Sequence, residues 1–274
     1  MPKAQQIKIA DEKESNLRSL MREMKSVLVA YSGGVDSAYL ALIATQELGD
    51  KAHCITGISP SVSLHQKKEA EEIARKFKFN FETICTDELE NPDYQKNPTN
   101  RCYFCKTELY GKLTKIATDK KINHVIDGTN FDDLSDYRPG RIAAEEKSVR
   151  SPLIEVGLKK KEIRELSLKH ALPSWDKPAS PCLSSRITHG VPVTIERLSK
   201  VERGEKILRE MGFREFRVRV HDELARIEIA PEEFEKVLNI EKFKNLSDRF
   251  IEIGFRYVTL DLQGYRVGKV KNKK

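Results

Sequence analysis

Long apolar runs are missing from this 274-residue chain: the longest, 38–44, has seven residues, against the roughly 20 needed to span a bilayer. The opening residues, MPKAQQIKIADEKES, lack the apolar core of a secretory signal, so the expected location is the cytoplasm, with no membrane partner. Cysteine is scarce. Five of them, an odd number for a reducing compartment, argue against a disulfide framework and turn attention to metal or sulfur chemistry. Internal repeats and low-complexity tracts are absent, apart from a short basic tail, GKVKNKK, that reads as a frayed terminus. Neither sign of charge dominates: 49 basic and 42 acidic side chains leave +7, which a solvated lysine-rich surface explains as well as a nucleic-acid partner does. The 39% of hydrophobic residues suffice for a core, and the mixed charge argues against wholesale disorder. The length calls for one large domain and a smaller one.

The first half alternates strand and helix signals. Strands are expected at 27–30, 53–58, 79–86 and 125–127, and helices at 37–48, 64–77 and 107–119. That rhythm predicts an α/β fold with a doubly wound, mostly parallel sheet, whose active site lies beyond the carboxyl ends of the strands. Residues 135–190 are rich in proline and polar side chains, with one helix expected near 159–170; a loop of that length is functional or disordered. From 193 onward the pattern changes to a long amphipathic helix (195–211), strands at 216–220 and 225–229, helices within 231–253 and a strand near 257–262. This predicts a smaller C-terminal α+β domain, with the boundary at 1–186 and 187–274.

The strongest motif is Ser32-Gly33-Gly34-Val35-Asp36-Ser37, between a strand and a helix. Glycines let the backbone approach an anion, and successive amides with the helix N-terminus can hold a pyrophosphate. The Ser32 and Ser37 hydroxyls add donors, and Asp36 is placed to help hold a divalent cation, Mg2+, between the phosphates of ATP. The Gly-Lys-Ser/Thr ending of a Walker loop is missing. The string instead resembles the PP-loop of the ATP pyrophosphatases, which split ATP into AMP and pyrophosphate while adenylating a substrate oxygen. Asp127-Gly128-Thr129-Asn130 ends the fourth expected strand on the same edge, and Gly128 and Thr129 are candidates for a second nucleotide-contacting loop.

Cys102 and Cys105 form a Cys-x-x-Cys, and Cys182 follows 77 residues after Cys105. Cys54 and Cys85 lie in expected strands and read as small core residues. Three readings of the trio stand open. A zinc site would take His189 as its fourth ligand. A thioredoxin-like pair would leave Cys182 without a role. A three-thiolate iron–sulfur cluster would leave one iron open to exogenous sulfide, a way for an ATP-activating enzyme to deliver sulfur.

Taken together, SGGVDS, DGTN, DYRPGR, VRSPL, WDKPASPCLSSR, the helix containing Glu205 and RVRVHDELARIE resemble the LarE family, over roughly residues 20–265. These are the ATP-dependent sulfur transferases that make the nickel-pincer nucleotide cofactor of lactate racemase. The resemblance implies a PP-loop, HUP-like fold and a small-molecule mononucleotide substrate, pyridinium-3,5-biscarboxylic acid mononucleotide. Its carboxylates are adenylated and their oxygen replaced by sulfur in two rounds. Adenylation is needed because a carboxylate is a poor electrophile, whereas its acyl-adenylate carries a good leaving group. In some members the cysteine matching Cys182 gives up its own sulfur and becomes dehydroalanine. In others three cysteines, here Cys102, Cys105 and Cys182, hold a 4Fe–4S cluster that carries the sulfur, and that route is the one expected here. The resemblance further implies substrate binding by Arg186, Arg217 and Arg219, of which the latter two project from one face of a strand. It also implies a divalent-metal role for Glu205, a sulfide or other sulfur donor, and a homo-oligomer.

A tRNA thiolase also joins a PP-loop to a cysteine-held cluster. However, the chain has neither zinc-ribbon cysteines nor an aromatic-interleaved basic stretch, so nucleic acid is not the expected partner. An amide-forming ligase of the NAD- or GMP-synthetase type offers no use for three cysteines. A nucleotide or metal sensor would bind ATP without releasing pyrophosphate.

Overall fold

The computed structural model describes residues 3–136, 138–178 and 180–266. The basic tail 268–274 lies outside the described residues, as do Tyr137 of the DYRPGR stretch and Ala179 of the cysteine loop. The chain begins with α1 (Lys3–Met24), β1 (Val27–Ala30), α2 (Val35–Leu48), β2 (Ala52–Ile58), α3 (Leu64–Lys76) and β3 (Asn80–Cys85). It continues through a short α4 (Pro92–Gln95), α5 (Arg101–Asp119), β4 (His124–Asp127), α6 (Pro139–Glu146), α7 (Pro152–Glu155) and α8 (Lys160–Lys169). The last third holds α9 (Ile195–Glu210), β5 (Phe216–His221), β6 (Leu224–Ile229), α10 (Ile240–Glu252) and β7 (Tyr257–Leu260). No helix among the described residues is long and apolar enough to cross a membrane.

Two compact units emerge. The first joins Met1–Asn91 to Asn100–Lys177, and the second joins Pro92–Thr99 to Pro178–Lys274. The first unit is built on a four-stranded sheet in the order β3-β2-β1-β4, every pairing parallel. Alternation along β1 divides its side chains between two cores. Val27 and Val29 join Leu17 and Met21 of α1, Leu40 and Ile43 of α2, Ile73 of α3 and Ile163 of α8. Leu28 and Ala30 join Tyr110 and Leu113 of α5 and Ala143 of α6. Helices therefore cover both faces, as expected of a doubly wound sheet.

Within 135–190 the structure has more helix than the single segment expected. Prolines open α6 and α7 at their first turns, where the missing N–H costs nothing. Helix α5 starts at Arg101, six residues before the expected 107; Arg101 is buried and Tyr103 packs against the core, ahead of the buried Tyr110, Leu113 and Ala117. Cys102 and Cys105 therefore stand on its first turn.

The second unit contains β5-β6-β7, with β5 and β6 antiparallel and β6 and β7 parallel. Phe216, Val218 and Val220 of β5 are buried, and the alternate residues Arg217, Arg219 and His221 are half-buried on the opposite face. The boundary drawn from the sequence at 186/187 falls inside this unit, which also takes 178–186 and the excursion 92–99. Hydrogen bonds account for the excursion's place. The buried Asn97 amide donates to the Thr188 and Val191 carbonyls at 2.8 and 2.9 Å, and the Tyr94 and Ser184 hydroxyls meet at 2.7 Å.

Candidate active site

In the first unit, β1 and β4 run side by side and deliver their following loops to one sheet edge. Gly33 adopts a left-handed φ of +71°, and a Cβ there would stand 2.8 Å from the Ala70 Cβ on α3. Ser32 and Ser37 close the loop, their hydroxyls 3.0 Å apart, while the Ser37 hydroxyl also donates to the Gly34 carbonyl at 3.1 Å. Gly34 occupies the N-cap position of α2, and no side-chain hydrogen bond from the described residues caps that helix. The first amides of a 14-residue helix thus face the loop, a natural seat for phosphate.

The second loop is braced against the first. A Cβ at Gly128 would lie 2.8 Å from the Ser37 amide nitrogen, so the two main chains are in contact. The Asp127 carboxylate organises this loop by accepting from the Thr129 amide (3.1 Å), the Thr129 hydroxyl (2.8 Å), Tyr110 (2.7 Å) and Ser151 (2.7 Å). The sequence placed Asp127 in the DGTN loop but did not single out Tyr110 or Ser151 as its supports, since they lie 17 and 24 residues away in the chain.

Asp36 projects from the first turn of α2 and meets Lys160, whose ammonium donates to its Oδ2 at 2.5 Å. Burial pushes the Asp36 carboxyl above its ordinary value, and Lys160 opposes that without cancelling it. Its other oxygen, Oδ1, is buried and has no hydrogen-bond partner among the described residues. A hard oxygen left open beside a phosphate seat fits Mg2+, which binds through one or two carboxylates plus substrate phosphates. Lys160 was not singled out from the sequence, although a signal was there: three lysines, 159–161, open a helix against its dipole.

The second unit holds Cys182, Arg186, Glu205, Arg217 and Arg219. Cys182 is half-buried and precedes the 3-10 turn Leu183–Arg186. Its carbonyl accepts from the Ser185 amide (3.0 Å) and hydroxyl (2.7 Å) and from Arg186 Nη1 (3.0 Å), which also donates to the Pro181 carbonyl. Arg186 and Glu205, both buried, pair through Nε and Oε1 at 2.8 Å and Nη2 and Oε2 at 3.4 Å. Glu205, expected beside a divalent metal, thus has both oxygens on Arg186, and Arg186, expected on the substrate, shapes the cysteine loop. Arg219 donates to both oxygens of the buried Glu228, at 3.0 and 3.1 Å, and to the Ser185 carbonyl at 3.0 Å. Glu228 was not anticipated from the sequence. Arg217 donates to the Phe216 carbonyl at 2.7 Å and to the Tyr265 hydroxyl at 3.0 Å.

Cys102 is exposed and Cys105 half-buried on the first turn of α5, three residues apart and so on one helix face. They belong to the first unit and Cys182 to the second; among the described residues no three His, Cys, Asp or Glu side chains are grouped to hold a metal ion. His189, the alternative zinc ligand, has its Nδ1 3.4 Å from the Asn97 carbonyl. Cys54 is buried as expected, and burial pushes its thiol up to about 12. Cys85 is exposed rather than in the core, because it ends the edge strand β3.

No protein-family model matches the chain. It is 45% identical to an uncharacterized protein of Synechocystis sp., over 95% of this chain and 97% of that one. It is 33% identical to the pyridinium-3,5-bisthiocarboxylic acid mononucleotide synthase of Lactiplantibacillus plantarum, over 95% of this chain and 94% of the synthase. It is also 27% identical to the glutamine-hydrolyzing GMP synthase of Aeropyrum pernix, over 71% of this chain and 41% of that enzyme.

Two substitutions test the site. Gly33→Ala is expected to weaken ATP binding at least about tenfold in isothermal titration, and an unchanged affinity would remove the loop from the nucleotide site. Glu205→Ala is expected to cost about 3–5 kcal/mol of stability in urea denaturation without added metal, because it strands a buried guanidinium. An unshifted midpoint would return Glu205 to a metal-binding role.

Proposed function

The chain belongs to the LarE family of pyridinium-3,5-bisthiocarboxylic acid mononucleotide synthases, and from that premise we propose that it carries out the family's sulfur transfer. In this reading a carboxylate oxygen of pyridinium-3,5-biscarboxylic acid mononucleotide attacks the α-phosphorus of ATP, and pyrophosphate leaves. A sulfur nucleophile then attacks the acyl carbon and AMP leaves, carrying the original oxygen. Two rounds give the bis-thiocarboxylate of nickel-pincer nucleotide biosynthesis. The observation that carries the reading is the match to the synthase along nearly the whole of both chains, and the phosphate seat at the β1–α2 junction supports it.

The part proposed for each residue fits its surroundings. The tight turn at Gly33 and the first amides of α2 bind the phosphates, with Ser32 and Ser37 as further donors. Asp36, through its unpartnered Oδ1, would hold Mg2+, which when bound would supply positive charge for the departing pyrophosphate. Lys160 is a second cation at the same carboxylate. Gly128 and Thr129 close the nucleotide side, with Thr129 fixed by Asp127. Arg217 and Arg219 offer guanidinium donors to the mononucleotide's phosphate or carboxylates. Arg186 holds the loop that carries Cys182.

The proposed sulfur source is a 4Fe–4S cluster with Cys102, Cys105 and Cys182 as its thiolate ligands. When bound, it would supply an iron with no protein ligand, at which exogenous sulfide is carried. The pairing of Cys102 with Cys105 on one accessible helix turn supports this over sacrifice of Cys182. The two routes differ in stoichiometry. In anaerobic turnover with ATP, magnesium, sulfide and the biscarboxylate, followed by intact-protein mass spectrometry, thiolated product is expected to exceed enzyme several-fold while Cys182 keeps its mass. Product stopping at one sulfur per chain, with Cys182 converted to dehydroalanine, would establish the sacrificial route instead.

A further inference from the structure

Buried carboxylates hold Arg186 and Arg219, whereas an aromatic ring holds Arg217. Its guanidinium carbon lies 4.7 Å from the centroid of the Tyr265 ring, and Nη2 donates to the phenol oxygen at 3.0 Å. The ring and the hydroxyl therefore act on the same cation, one through its π-face and one through a lone pair.

Tyr265 reaches this position because the chain folds back after β7. The Asp261 amide donates to the Ile227 carbonyl at 2.8 Å, the Gly264 amide to the Asp261 carbonyl at 2.9 Å, and the Tyr265 amide to the Ile229 carbonyl at 2.8 Å. Residues 261–265 are thus tied to β6, and the ring crosses to the neighbouring β5, where Arg217 stands. Arg217 and Tyr265 are both half-buried, so each retains surface that a ligand can touch. Burial first, and then the nearby charge of Arg186, lowers the Arg217 pKa, which marks the guanidiniums as one electrostatic neighbourhood.

We propose that Tyr265 is a positioning residue for the mononucleotide: through its ring face and its phenol oxygen it fixes the Arg217 guanidinium on the β5 face in the orientation that meets the substrate anion. The chemistry requires no more than this. The phenol oxygen accepts from Arg217 Nη2 while the ring faces the same guanidinium, and together they fix the direction of its remaining N–H donors toward a phosphate or carboxylate. The inference rests on the reading of Arg217 as a ligand of the substrate anion.

Steady-state kinetics of Arg217→Ala, Tyr265→Phe, Tyr265→Ala and the Arg217→Ala/Tyr265→Ala double variant test it, with pyrophosphate and thiolated product both followed. Tyr265→Ala is expected to raise KM for the mononucleotide about tenfold with KM for ATP unchanged, and Tyr265→Phe, which keeps the ring, about threefold. The double variant is expected to be no worse than Arg217→Ala, since Tyr265 acts only through Arg217. If Arg217→Ala raises KM for the mononucleotide and neither Tyr265 variant does, Tyr265 has no such role. Fully additive effects in the double variant overturn it equally. If Arg217→Ala itself leaves that KM unchanged, the underlying assignment of Arg217 fails, an outcome distinct from failure of Tyr265 alone. Tyr265→Phe retains the ring and its packing, so it answers the question even where Tyr265→Ala does not fold.

Discussion

Two close backbone approaches without room for a Cβ shape the sheet edge proposed to take the nucleotide. Gly33 lies against Ala70, and Gly128 lies against the Ser37 amide. The first turns the loop after β1 so that the start of α2 opens onto the sheet edge. The second brings the loop after β4 onto that same helix start. Neither contact contributes much apolar burial. What they provide is geometry, because phosphate can lie on main-chain amides only where side chains do not intervene. The Asp127 carboxylate then holds the second loop rigid with four hydrogen bonds. Preorganised donors need not rearrange when charge develops on the leaving group.

The second unit uses charge where the first uses glycine. Buried ion pairs such as Arg186–Glu205 are weak sources of net stability, since desolvation offsets most of the attraction. Their value here is positional. Arg186 gathers the Pro181 and Cys182 carbonyls while Arg219 takes the Ser185 carbonyl, so the cysteine loop is held from two sides by guanidiniums that carboxylates in turn hold. The arrangement fixes the backbone beneath Cys182, which the proposed role of its thiolate as a cluster ligand would require.

Much of this was legible in the sequence. The strand–glycine–helix string at 27–48 and the expected strands at 53–58, 79–86 and 125–127 correspond to β1 with α2 and to β2, β3 and β4. The alternation that places Arg217 and Arg219 on one face of β5 is period-two patterning of the plainest kind. Tertiary pairings were not legible. Lys160 on Asp36, Glu228 on Arg219 and Tyr265 on Arg217 link residues that no local period connects. The excursion 92–99 joins the second unit through Asn97, whose amide reaches carbonyls about ninety residues away. Helix α5 began earlier than expected because its first two turns show little apolar patterning, and those turns carry the Cys-x-x-Cys.

The central claim is that ATP is activated against the mononucleotide's own carboxylate. Exchange of radiolabelled pyrophosphate into ATP measures that step alone, with no sulfur source present. The account predicts exchange that requires pyridinium-3,5-biscarboxylic acid mononucleotide and is lost in Asp36→Asn. Exchange that proceeds equally without the mononucleotide, or that requires tRNA in its place, would contradict it.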